Sequence, residues 1–89
     1  MPEYKKVLCL AVDDEPLALN VLQKYIASVP ALSLAATCNN AVEALDYLQR
    51  HPIDLLFIDI RRPQILGTDF IRTLKNPPKV VFTTAFRKF

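Results

Sequence analysis

Glycine is almost missing from this chain: Gly67 is the single one in 89 residues. A GxGxxG turn or a Walker-type phosphate loop needs several glycines for close backbone approach, so neither is present. Nucleotide binding on a glycine-rich cradle is excluded. Cysteine is scarce as well. Cys9 and Cys38 stand apart inside apolar runs, with no CxxC and no Cys/His spacing. Buried free thiols of a cytoplasmic protein are expected, and not a disulfide or a zinc centre. Neither sign of charge is in excess: 11 basic and 9 acidic residues leave a net +2. That is too little to argue for nucleic-acid or membrane binding by this chain alone. No apolar run reaches the length of a membrane span, and the one after Met1–Lys6 is too short for a signal peptide.

What is present is enough apolar material for one small domain. Hydrophobic residues make up 52% and charged residues 22%, far from the disordered class. A chain this short has to spend every apolar segment on one fold. Prolines mark the joints: Pro16, Pro30, Pro52, Pro63 and the pair Pro77-Pro78 fall between periodic segments.

Val7 to Val12 is a continuous apolar run, which suits a strand buried on both faces. It stops at Asp13-Asp14-Glu15-Pro16, where Asp14 is expected to cap a helix with a proline in its first turn. Periodicity places Ala18, Val21, Leu22, Tyr25 and Ile26 on the inner face of that helix. A second apolar run, Leu32 to Cys38, reads as a strand. Asn40, with Glu43 three residues on, then forms a capping box for a helix whose inner face is Ala41, Ala44, Leu45 and Leu48. Leu55 to Ile58 is a third strand, closed by Asp59. A loop through Arg61, Arg62 and Pro63 leads to a short helix carrying Phe70, Ile71 and Leu74, and Val80 to Phe82 forms a fourth strand ending at Thr83-Thr84. Uniformly apolar strands alternating with amphipathic helices ask for a parallel sheet covered on both faces.

Ligands of such sheets sit beyond the carboxyl ends of the strands. Strand one ends in Asp13 and Asp14, strand three in Asp59, strand four in Thr83 and Thr84. Carboxylates brought that close repel one another unless a cation sits among them, and hard oxygen donors favour Mg²⁺. The plainer reading makes Asp14 a helix cap and Asp59 a loop initiator. Capping alone, however, does not account for carboxylates at the ends of two separate strands.

Asp13-Asp14-Glu15-Pro16, Phe57-Ile58-Asp59-Ile60 followed by Pro63 and Gly67, and Val81-Phe82-Thr83-Thr84-Ala85 together resemble a response-regulator receiver domain. The resemblance covers the whole chain. The segment Asn76 to Phe86 looks most like receivers joined to LytTR-type DNA-binding domains. It implies a flavodoxin-like doubly wound sheet, of order 2-1-3-4 for the strands present, and phosphorylation of one aspartate by a sensor histidine kinase with Mg²⁺. By that resemblance Asp59 is the phospho-acceptor. Asp14 binds the metal directly, Asp13 acts beside it, and the backbone carbonyl of Arg61 is a further ligand. Thr84 is the switch hydroxyl, with Ala85 the small neighbour that leaves room for the phosphoryl group. Thr83 then points to the other side of the strand, since adjacent strand residues alternate.

The chain departs from the family pattern in two places. Arg62 stands where a methionine is usual, either as a solvated loop charge or as a partner of the acidic pocket. The sequence, running to Phe89, also holds no counterpart of the fifth strand and its phosphate-binding lysine; Lys75, Lys79 and Lys88 do not match that position. Strand four is therefore expected to be an edge prone to self-association, and DNA would be reached only through an output domain outside the chain. A degenerate receiver acting only in protein interaction or dimerisation remains the alternative. A hydrolase using Asp59 is a weaker one, since His51 beside Pro52 reads as a helix-end dipole partner.

Overall fold

The computed structural model describes residues 5–59 and 74–83. Its elements are β1 (Val7–Val12), α1 (Pro16–Ala27), β2 (Leu32–Cys38), α2 (Ala41–Arg50), β3 (Leu55–Asp59) and β4 (Lys79–Thr83). The strands form one sheet of order β2-β1-β3-β4, with every neighbouring pair parallel. The expected doubly wound architecture and strand order are both observed. Of the expected third helix, only Leu74 lies among the described residues; Phe70 and Ile71 fall outside them.

Strand alternation divides the chain between two cores. Cys9 and Ala11 of β1 face α1, where they pack with Leu19, Leu22 and Ile26. Leu10 and Val12 face α2 and pack with Ala44, Leu48, Ile53, Leu56 and Ile58. Leu10, Leu56 and Ile58 are wholly enclosed. Burying side chains of this size contributes about 1.5–3 kcal/mol each. The apolar character of both parities along β1 follows directly: one strand furnishes two layers.

β2 departs from regular pairing. Cys9 pairs with Leu34 but Leu10 pairs with Ala36, so Ala35 is an extra residue on the outer strand. This β-bulge divides the strand's apolar residues between the faces. Leu32 and Leu34 pack on the α1 side, Ala36 and Cys38 on the α2 side. Bulges are common at sheet edges, where they twist the strand and interrupt regular pairing.

The helix starts differ from one another. At α2 the expected cap is present: Asn40 Oδ1 accepts from the Glu43 amide at 2.8 Å. Glu43 Oε1 reaches back to the Asn39 amide, also at 2.8 Å, one residue beyond the usual reciprocal partner. At α1 the N-cap is Glu15, with no side-chain cap and Pro16 in the first turn, so Asp14 is not the cap. The inner face of α1 also shifts. Leu19 is buried with Ala18, Leu22 and Ile26, Val21 is half-buried, and Tyr25 is 61% exposed. A stripe centred on Leu22 and Ile26 turns position 25 outward.

Candidate functional site

Asp13 and Asp59 are the buried charged residues among those described. Both follow from the strand pattern. β1 and β3 pair in register through Val12 and Ile58, and one residue further each strand delivers an aspartate. Asp13 has the parity of Cys9 and Ala11, and Asp59 that of Leu55 and Phe57, so both belong to the α1 side of the sheet. Thr83, half-buried, is the β4 neighbour of Asp59.

Backbone groups hold Asp13 in place. Its amide donates to the Cys38 carbonyl at 3.1 Å, tying the ends of β1 and β2 together. Its Oδ1 accepts from the Glu15 amide at 2.9 Å, an Asx-type turn that carries the chain from strand to helix. Leu19 then donates to the Glu15 carbonyl at 3.1 Å and the helix begins. Asp14 lies exposed at the rim.

The electrostatics are those of crowded carboxylates. Burial pushes the Asp13 carboxyl up from its ordinary value near 3.8. The Glu15 amide opposes that shift, while the charges of Asp59 and Asp14 and a side-chain hydrogen bond with Asp14 add to it. Cys38, one residue back on β2 and on the opposite face, is a buried free thiol whose pKa is raised chiefly by burial. Cys9 is likewise free and buried, as expected.

The donor set has the chemistry that a hard divalent cation requires: oxygen ligands only, partly desolvated, and mutually repulsive without a counter-charge. Among the described residues no group of three or more His, Cys, Asp or Glu side chains is already drawn together as a metal site. The described carboxylates alone do not make up a full coordination sphere. The expected roles of Arg61, Thr84 and Ala85 fall on residues outside those described. His51, at the end of α2, donates its amide to the Tyr47 carbonyl and stacks its ring 4.2 Å from that of Tyr47, away from the acidic residues.

The sequence pattern locates both buried carboxylates, because strand ends are readable from apolar runs. It misses the backbone contributors. The Cys38 carbonyl and the Glu15 amide act through position and not residue type, and only the β1–β2 register could have indicated the first of them.

Residues 9–88 match the response regulator receiver domain family. An uncharacterized response regulatory protein of Shewanella oneidensis is 36% identical over 85 residues, covering 93% of this chain and 36% of its own length. One from Vibrio cholerae is 40% identical over 81 residues, covering 86% and 31%. The transcriptional regulatory protein BtsR of Escherichia coli K12 is 35% identical over 82 residues, covering 90% and 34%. The chain thus spans about a third of the length of the curated relatives it matches. Among solved structures, a chain in the crystal structure of the P1 domain of CheA3 in complex with CheY6 from R. sphaeroides superposes with a TM-score of 0.73 at 30% identity. That match covers 85% of this chain and 61% of the other. Sheet order, buried aspartates and the extent of the family match agree, and the chain belongs to the response regulator receiver domain family.

Proposed function

We propose that this chain is a phosphorelay receiver in which Asp59 accepts a phosphoryl group from a sensor histidine kinase. The observation that carries the reading is the burial of Asp59 at the end of β3, beside a strand that ends in the buried Asp13. A carboxylate oxygen of Asp59 attacks phosphorus in line while the P–N bond to the kinase histidine breaks. The imidazole nitrogen leaves with the bonding pair and takes up a proton. Bound Mg²⁺, held by Asp13, Asp14, Asp59 and the Arg61 carbonyl, would neutralise charge on the equatorial oxygens. Thr84 would donate to the phosphoryl group and Ala85 would leave it room. The chain acts as a phospho-acceptor that assists its own modification, and not as a turnover enzyme.

Exposed Leu17, 77% accessible and in the first turn of α1, offers an apolar contact beside the acidic residues. A kinase-type partner is supported by the structure of the CheA3 P1 domain in complex with CheY6. The transcriptional regulatory relative supports a regulatory output; that this is a LytTR-type DNA-binding domain of a longer cytoplasmic regulator rests on the resemblance of the segment Asn76 to Phe86. No helix among the described residues is long and apolar enough to cross a membrane.

The test is intact-mass measurement with acetyl phosphate and Mg²⁺. A mass gain of one phosphoryl group, lost in Asp59→Asn and without Mg²⁺, is expected. Modification that survives Asp59→Asn would show that the acceptor lies elsewhere. The reading as an interaction module alone has one observation in its favour, the lack of a drawn-together metal group among the described residues. On that reading copies associate through β4, which is an edge of the described sheet. Association unaffected by beryllofluoride would favour it.

A further inference from the structure

With Asp46 and Asp54 excepted, the described charges are sorted by pole. Every lysine and arginine among the described residues lies at the end of the sheet where strands begin and helices finish. Lys5 and Lys6 precede β1, Lys24 and Arg50 are in the last turns of α1 and α2, and Lys75 and Lys79 lead into β4. The carboxylates Asp13, Asp14, Glu15, Glu43 and Asp59 lie at the other end. The net charge of +2 conceals this separation. Cations at helix C-termini are favoured by the helix dipole, which accounts for Lys24 and Arg50 but not for the lysines around β1 and β4.

Those lysines border two adjoining clefts. One, of about 560 Å³, is lined by Lys5, Lys6 and Lys79 over apolar walls that include Val7, Ile53, Leu55 and Pro77. The second, of about 790 Å³, continues past Asn76 to Lys75, Arg50 and His51. Asp54 stands between them, but its Oδ2 already accepts from the Leu8 amide at 2.8 Å. Arg50 is paired with Asp46 at 3.2 Å, and that is the salt bridge found among the described residues. Lys5, Lys6, Lys75 and Lys79 form no salt bridge among the described residues, and with Arg50 they outnumber the carboxylate of Asp54 in the lining of the two clefts.

We infer that this double cleft docks an acidic peptide segment of a partner protein, with aliphatic side chains against the cleft walls and carboxylates against the lysines. The chemistry favours a peptide over nucleic acid. Apolar walls are wasted on a phosphate backbone, and the aromatic ring in the lining, His51, is stacked on Tyr47 and not presented to a base. The face is at the opposite pole from Asp59, so both can be occupied together.

The experiment titrates the 89-residue chain with a synthetic octapeptide alternating glutamate and leucine, observed by amide shifts at low and moderate salt. Shifts at Lys5–Leu8, Ile53–Leu55 and Asn76–Lys79 are expected, weakening as salt rises. Lys79→Glu should lower affinity about tenfold or more. Lys6→Glu, outside every strand, should act in the same direction and keeps the test valid if the β4 variant fails to fold. Lys→Gln in place of Glu should give a smaller loss. The inference is overturned if these amides do not move, if a lysine–leucine octapeptide binds equally well, or if a short DNA duplex binds more tightly than the acidic peptide.

Discussion

The Glu15 amide donates to Asp13 Oδ1 across 2.9 Å, so the carboxylate nearest the centre of the acidic group is oriented by its own backbone. The bond satisfies one oxygen of a residue that is 5% exposed, and the charges of Asp59 and Asp14 oppose its ionisation. Asparagine keeps the acceptor and removes the charge. Asp13→Asn should therefore raise the melting temperature at pH 7 in a chelator by roughly 3–6 °C, the scale of a sub-kcal to kcal change in a small domain. Calorimetry checks this, and a lower melting temperature would show that the charge is compensated in the apo protein.

The same crowding dictates a pH dependence. A carboxyl whose value is raised by folding holds its proton more tightly folded than unfolded, so its contribution to stability is best below the unfolded value near 3.8 and is lost as pH rises to the raised one. The gap between wild type and Asp13→Asn should be small in acid, open as pH climbs out of the ordinary carboxylate range, and then level off. Urea midpoints at a series of pH values measure it. Saturating Mg²⁺ at neutral pH should narrow the gap, since a cation offsets the repulsion that the variant removes.

Asn40→Ala should cost about 1 kcal/mol, the usual loss for a helix cap. The Glu43 amide would lose its acceptor at 2.8 Å while the Glu43–Asn39 bond remained. Asn40→Asp should restore most of it. Denaturant unfolding of the two variants separates cap loss from a general effect of mutation at the end of β2.

Leu56→Ala removes a fully buried side chain from the layer under α2. A loss of about 2–5 kcal/mol is expected, enough in a domain of this size to populate the unfolded state at room temperature. Leu55→Ala, on the α1 side and half-buried, should cost clearly less. Circular dichroism melts of the pair test whether the two layers differ as the packing indicates.

The fold was legible because each strand announces itself as an apolar run, and because Asn40 and Glu43 mark a helix start by chemistry that needs no tertiary context. Asp14 misleads as a cap for a physical reason. Two aspartates stand side by side, and the one turned inward takes the amide of Glu15, leaving the other at the rim. Tyr25 misleads because one residue of helix is about 100° of rotation, and periodicity alone does not fix where a stripe is centred. The buried carboxylates were readable, since parity and strand length place them. The Cys38 carbonyl was not, because a backbone acceptor has no letter of its own.

Nothing in the letters from Leu32 to Cys38 marks the bulge, since no glycine or proline stands there, yet it sets how far β2 reaches. With Ala35 outside the ladder, the strand ends level with β1 and puts the Cys38 carbonyl where the Asp13 amide needs it. Delete that one alanine and the rest of β2 matches β1 rung for rung. The Val7–Leu32 start and the Val12–Cys38 end are both kept, with Leu32 and Leu34 still on the α1 side and Ala36 and Cys38 on the α2 side. Ala35 is thus a residue the ladder passes over: replacing it should matter little, and removing it should regularise the strand while leaving the Asp13–Cys38 backbone bond in place.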